Sequence, residues 1–313
     1  MRVLTTVAVA FAAALALGSS LAASANTSKG PKPKLPDLVV TQNKLTSDRH
    51  LIQDERNTVS YVERTKNQGR GPAKVSYTWF GLLESVRARR GLRINKRRVP
   101  ALKPRESHGA SVTRHYNVPV GKLGGWVAFA CANFNLRFPE QHTDNNCKSA
   151  GEIGIIARKF TGVVDGTASG GGIKDTWHAS TTWTFDHVSE SHTYVYALTH
   201  ADIDYTTSGA DSNGCTWSGH GSITTASPDT GSDYLEITYG GENTYQAVAS
   251  IPAPFYTVNM TGCQQAGQTL GPQALAWIHT GAPLPLTPAH GYTALSDTSD
   301  DGTNHDDWRF TAD

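Results

Sequence analysis

One stretch of this 313-residue chain concentrates groups able to do acid–base or ligand chemistry. Residues 192–205 read as a strand, and a strand's two-residue period sorts its side chains onto opposite faces. Thr193, Val195, Ala197, Thr199, Ala201, Ile203 and Tyr205 form a small, mostly apolar set suited to a core. The other set is His192, Tyr194, Tyr196, Leu198, His200, Asp202 and Asp204. On an exposed sheet face, Tyr194, Tyr196, His200, Asp202 and Asp204 are the ligand-binding candidates, able to stack on sugar rings or hold a peptide. His200 and Asp202, alternate residues of one strand, have the spacing to share a metal ion. His178, His200, Asp202 and Asp204 are the acid/base candidates for a hydrolase. The competing reading is a solvated face whose tyrosines pair across strands.

Two further clusters carry charge. Asp297-Thr298-Ser299-Asp300-Asp301-Gly302 imitates the first half of an EF-hand loop, which makes Asp297, Asp301 and Asp307 calcium-ligand candidates. Position three is Ser and position twelve is Trp308, where the bidentate Glu belongs, so an acidic turn competes with that reading. Beyond this Ca2+ candidate, no cofactor is expected. Arg87, Arg89, Arg90, Arg93, Lys96, Arg97 and Arg98 form a basic cluster, which fits an anionic partner or a solvated loop whose like charges block edge pairing. No G-x-S-x-G elbow, P-loop, G-x-G-x-x-G or H-E-x-x-H occurs. Nothing resembles a nucleic-acid recognition motif.

These groups need a scaffold, and the composition describes one held by strands. Short β-prone runs at 58–62, 75–83, 112–118, 126–134, 176–185, 192–205, 215–222, 234–239, 244–250, 255–260 and 308–311 alternate with turn residues, as in sandwiches and barrels. Between them, residues 162–174 are Gly-rich and read as a flexible segment. Residues 26–160 hold 25 of the 28 Lys+Arg and ten of the 27 Asp+Glu, a net +15; residues 161–313 hold two and seventeen, a net −15. That split supports a domain boundary near 155, and domains so charged could attract each other within one chain or head-to-tail between chains.

The four cysteines cluster as Cys131 with Cys147 and Cys215 with Cys263, one bridge per half, although four cysteines allow three pairings. No C-x-x-C favours zinc. The N-terminus has Arg2, an apolar stretch over 3–17 and an A-x-A site at Ala23-Ser24-Ala25, the pattern of a cleaved export signal over 1–25. A Pro/Lys-rich linker covers 26–35. No second long apolar run follows, so no membrane span is expected, and the mature protein is expected to be secreted.

The first half also resembles a known family. Asp37-Leu38-Val39-Val40 after Pro36, and Lys66-Asn67-Gln68-Gly69-Arg70-Gly71-Pro72-Ala73, are similar to the opening of a CARDB domain, the cell adhesion-related domain of bacteria. Val99-Pro100-Ala101-Leu102-Lys103-Pro104, Tyr116-Asn117-Val118-Pro119-Val120-Gly121, Ala130-Cys131-Ala132 and Asp144-Asn145-Asn146-Cys147 continue the match in order through residues 36–156. The resemblance implies an immunoglobulin-like β-sandwich on a secreted or surface protein, linked to adhesion and without catalysis. Family members often carry several carboxylates between the cysteines; this chain has Asn133 at the early acidic position, then Glu140 and Asp144, a departure that puts any cation-binding role for that loop in doubt. The expectation is an all-β chain: a CARDB-like sandwich over 36–156, then a second β-sandwich or barrel-like domain over 157–313. Its function is expected to be non-catalytic binding or adhesion, with a cell-wall polymer, polysaccharide or surface protein as partner. The rival is a secreted hydrolase with its active site in residues 160–313.

Overall fold

The computed structural model describes residues 34–84, 91–189, 192–225, 233–240, 244–251, 256–261, 268–270, 276–280, 282–287 and 291–313. Arg87, Arg89, Arg90, Cys263, Phe255, the export signal and nearly all of the linker lie outside them. The described elements are all strands, and no helix among them is long and apolar enough to cross a membrane.

The first half is a sandwich of two sheets. Its strands are β1 (Leu38–Leu45), β2 (His50–Ile52), β3 (Arg56–Asn67), β4 (Ser76–Leu83), β5 (Gly91–Val99), β6 (Ser107–Asn117), β7 (Gly124–Ala132) and β8 (Cys147–Ile156). One sheet runs β1-β3-β6 and the other β2-β8-β7-β4-β5. Alternation in β4 turns Phe80 and Leu82 into the core with Leu38, Val59, Trp126 and Ile153, while Tyr77 and Trp79 sit on the other face. Tyr61 stacks on Phe80 across the two layers, ring centroids 3.7 Å apart.

The second half continues after two residues with β9 (Lys159–Gly170), β10 (Ile173–Val188), β11 (Thr193–Ala210), β12 (Thr216–Thr225), β13 (Tyr234–Tyr239) and β14 (Thr244–Ile251). It ends with β15 (Tyr256–Thr261), β16 (Gln268–Leu270), β17 (Ala276–His279), β18 (Leu284–Pro285), β19 (Ala294–Asp300) and β20 (Asn304–Ala312). The main path is β16-β15-β12-β11-β10-β9-β20-β19. Long β11 forks: its Ala201–Ala210 portion pairs with β12 and its start with β13, which leads on to β14, β17 and β18. The free edges of β17 and β19 meet through a side chain, Ser299 Oγ donating to the His279 carbonyl at 2.8 Å and accepting its N–H at 3.2 Å. The result is a nearly closed barrel around Trp183, Tyr196, Ile237, Trp308 and Phe310.

Two expectations are corrected here. The Gly-rich segment 162–174 is a strand and its turn, not a flexible link: Gly166 lies in β9 because the Trp177 indole occupies the space of a side chain, 2.0 Å from where a Cβ would stand. The single-phase reading of β11 also fails. A β-bulge places Thr182 opposite His200 and Trp183 opposite Leu198, so Thr199 is the extra residue. Ahead of it Tyr194, Tyr196 and Leu198 point into the core; behind it Ala201, Ile203 and Tyr205 do. Burying Tyr196 is tolerable because its hydroxyl donates to the Ala157 carbonyl at 2.8 Å.

The two hydrophobic cores meet along β8: Ile155 packs in the first, Ile156 in the second. Ile52, in the first half's β2, packs in the second core, and Leu123 touches both. Arg158 reaches back to Glu55 at 2.9 Å and Asp54 at 3.5 Å.

Candidate functional site

Two sites emerge from this scaffold. The first is a hollow of about 50 Å³ on the outer face of the β4–β5 pair, walled by Tyr77, Trp79, Arg93, Lys96, Asn133, Phe134, Asn135 and Arg137. Strand alternation presents Tyr77 and Trp79. Phe134 stacks on Trp79 with ring centroids 4.9 Å apart and an interplanar angle of 15°, yet remains 50% exposed. Lys96 Nζ sits 4.3 Å and Arg137 Cζ 4.6 Å from the Tyr77 ring centroid, both cation–π distances. An exposed aromatic face beside three cations can stack on a flat or sugar ring and pair with its anionic substituents.

The loop bearing Phe134 is held by polar wiring. Cys131 and Cys147 form the expected disulfide at its base. Asn133 adopts a left-handed φ of 43°, a conformation Asn tolerates better than most residues, and its Oδ1 accepts the Arg137 N–H at 3.0 Å. Glu140 accepts from Asn133 Nδ2 at 2.6 Å, Asn146 Nδ2 at 3.0 Å and the Leu38 N–H at 3.3 Å. Burial raises its pKa against the pull of these donors. Three N–H donors thus occupy the oxygens of this carboxylate.

The second site is a cleft of about 370 Å³ where the halves meet, walled by His50, Glu152 and Gly154 from one side and His192, Tyr239 and Tyr292 from the other. Gly154 faces His50 across the β2–β8 pair, and a Cβ there would stand 2.5 Å from the His50 ring and 2.8 Å from Tyr292. His50 stacks on Tyr239 with centroids 4.4 Å apart and meets Tyr194 edge-on. Asp48 Oδ1 lies 3.8 Å from His50 Nδ1 and 3.5 Å from His192 Nδ1. Burial would raise the Asp48 pKa, but the His50 imidazole, the Tyr194 hydroxyl and the His50 N–H outweigh it and hold the group at about 2. Burial pushes Tyr292 up to about 12, with Glu152 adding to the shift, and Tyr239 well above its ordinary range.

The residues singled out from sequence are only partly brought together. Tyr194 and Tyr196 are 1% and 0% exposed, so the bulge removes them from the face that carries His200, Asp202 and Asp204. Those three stay on the exposed outer face, where Asp202 accepts from Thr224 at 2.6 Å and Asp204 sits 3.9 Å from His220. His178 lies on the same sheet, 2.6 Å from Asp165. In the basic cluster, Arg93 and Arg98 are exposed on β5, but Arg97 turns inward to pair with Glu63, a carboxylate 1% exposed, and is withdrawn from any partner surface.

The EF-hand reading is corrected too. Residues 294–312 are a β-hairpin in which Asp297 pairs with Trp308 and Asp307 with Thr298, so Asp297 and Asp307 lie along strands instead of around a loop. Asp301 spends its oxygens on the turn, accepting the N–H groups of Thr303 and Asn304 and the Asn304 amide. Cys215 is disulfide-bonded; its expected partner Cys263 lies outside the described residues.

Sequence reasoning named Arg93 and Lys96 in the basic cluster and His192 at the start of β11 but missed the sites they line, although each site left a further trace. Tyr77 and Trp79 are alternate aromatics on a strand facing away from the core, and Asp48-Arg49-His50 is an alternate acid–imidazole pair.

No family model matches the chain, and no curated protein matches it. Among solved structures, the chain is similar to the CARDB domain of the PF1109 protein from Pyrococcus furiosus, the family its first half resembles in sequence. The crystal structure of that domain in complex with di-metal ions is 14% identical and covers 40% of this chain and 97% of its own, with a TM-score of 0.28. The solution NMR structure of the same domain is 13% identical and covers 39% of this chain and 97% of its own, with a TM-score of 0.29.

Proposed function

We propose that this chain is an exported, non-catalytic binding protein whose first half attaches to an anionic polymer of the cell surface, such as a cell-wall polymer or acidic polysaccharide. The observation that carries the reading is the hollow on β4 and β5. There, half-exposed Phe134 lies flat on Trp79 within reach of Arg93, Lys96 and Arg137. An exposed ring stacked on a second one and flanked by cations suits a ligand that is flat on one side and anionic on the other. Wiring through Glu140 and the disulfide presets the platform, so little ordering is lost on binding. The second half adds a broad outer sheet face with His200, Asp202 and Asp204 as a further partner surface.

The test is retention of the purified mature protein on an anionic polysaccharide at low and high salt. Retention that weakens with salt, and falls at least tenfold in Phe134→Ser and in Arg137→Gln, supports the proposal. Retention unchanged in both variants would refute it, as would turnover of a glycan substrate abolished by His200→Ala.

A further inference from the structure

We infer that Asp48, His50 and His192 form a divalent transition-metal site, of zinc type, that clamps the two halves together across the cleft. This is independent of the polymer-binding hollow. Among the described residues, these three are the one group of His, Cys, Asp or Glu side chains whose ligand atoms all lie within 4.8 Å of one another. Two bonds of about 2.0–2.1 Å at a tetrahedral angle set neighbouring ligands about 3.3 Å apart. The Asp48 Oδ1 separations of 3.5 and 3.8 Å from the two imidazole nitrogens need only small side-chain rotations to reach that spacing.

The polar accounting points the same way. His50 Nδ1 is buried and has no hydrogen-bond partner; at 3.8 Å, Asp48 is too distant to supply one. A buried polar atom left unpaired costs stability, and a metal would satisfy it. His50 is held near this position by the Tyr239 ring stacked on one face and by its close packing over Gly154. On the other half, His192 holds a left-handed φ of 76° just before β11, fixed by its carbonyl accepting the Tyr239 N–H at 3.0 Å. Such a conformation is uncommon for a residue other than Gly and is kept where the surroundings demand it.

The donor set decides the metal. Two imidazoles and one carboxylate suit zinc and its neighbours; calcium and magnesium call for oxygen ligands throughout. Three protein ligands leave a fourth position for water or another ligand, and two of the three, His50 and His192, line the cleft. Because Asp48 and His50 come from the first half and His192 from the second, the metal would bridge elements that the sequence separates by 140 residues.

The experiment is zinc titration of the purified chain, free of any polyhistidine tag, by calorimetry, with bound metal measured after dialysis. His192→Asn is the informative variant, since Asn tolerates the left-handed backbone but lacks the imidazole. Asp48→Asn removes the carboxylate, and His305→Asn controls for a surface histidine flanked by Asp300 and Asp307. The expected result is one equivalent of tightly bound zinc that raises the melting temperature. Affinity should fall more than about a hundredfold in His192→Asn and Asp48→Asn, because losing even an outer partner of a ligand costs about 10–100-fold. His305→Asn should bind as the unaltered chain does. If the unaltered chain binds no stoichiometric zinc, or His192→Asn binds it equally well, the site does not exist.

Discussion

Glu63 is the most deeply buried ion-paired carboxylate among the described residues. Its carboxylate is 1% exposed, and Arg97, itself 14% exposed, neutralises it from β5. Burial raises the Glu63 pKa, and Arg97 opposes the rise. Removing one partner of a buried pair strands the other, at about 3–5 kcal/mol, so Arg97→Ala should destabilise the chain by that order at pH 7. A carboxylate raised above its ordinary 4.5 gives stability that is complete below that value and lost as pH rises through the folded pKa. The Arg97→Ala deficit should therefore shrink toward pH 4, and adding Glu63→Gln should recover much of it at pH 7; denaturant melts across pH measure both. Asp306 obeys the same sign. Burial, helped by Asp301 and Asp307 and opposed by the Trp177 indole and His305, raises it from 3.8 to about 6. Asn can still accept the indole N–H that Asp306 Oδ1 takes at 2.9 Å. Asp306→Asn should stabilise the protein by about 1–2 kcal/mol at pH 7, a figure reduced for solvent screening, with the gain vanishing as pH falls below 3.8. A gain that persists at low pH would mean that the carboxylate is not the cause.

At the scale of elements, the loop between β7 and β8 depends on its staple. The bridge joins residues 16 apart, and a closed loop of that size is worth about 3 kcal/mol in the chain-entropy picture. Replacing Cys131 and Cys147 together by Ala should cost roughly that much and weaken polymer retention more than Asp144→Asn does, since the bridge holds Phe134 against Trp79. Equal retention in the double variant would show that Glu140 alone presets the platform. This loop was legible in the sequence because its cysteines bracket a polar stretch between strands. The two faces of β4 were legible because period-two alternation survives along it. β11 was not, because an alternating strand gives no local sign of where one residue will bulge; the phase slips at Thr199, opposite the large Trp183, and swaps Tyr194 and Tyr196 from the outer face to the core. β9 misled for another reason: glycines signal flexibility only until the groups that fill their space are known, here the Trp177 ring over Gly166 and Arg309 and Phe310 over Gly162. The cleft at Asp48 and His192 depends on pairing between remote segments, which periodicity does not encode.

At the scale of the whole molecule, the charge asymmetry and the junction are separate matters. The ion pairs seen across the junction include His192 with Asp48, which sets the acid on the basic half, so they do not draw on the +15 and −15 surplus. What couples the halves is apolar: Leu123 in contact with both cores, and Ile52, which pairs with Ile156 in the first half's sheet but packs in the second half's core. Residues 35–313 accordingly form one compact unit and are expected to unfold in one cooperative transition. Ile52→Ala tests this at the point where the two cores share a side chain. Ile52 is 5% exposed, and truncating a buried Ile costs about 2–5 kcal/mol through lost transfer energy and the cavity left behind. If the junction couples the halves, scanning calorimetry should show one transition moved to lower temperature as a whole. Tryptophan fluorescence should move with it, since Trp79 and Trp126 report on the first half and Trp183 and Trp308 on the second. A variant whose second half melts early while the first half keeps its original midpoint would show that the halves merely touch. A metal clamp at Asp48, His50 and His192 would then be their chief link.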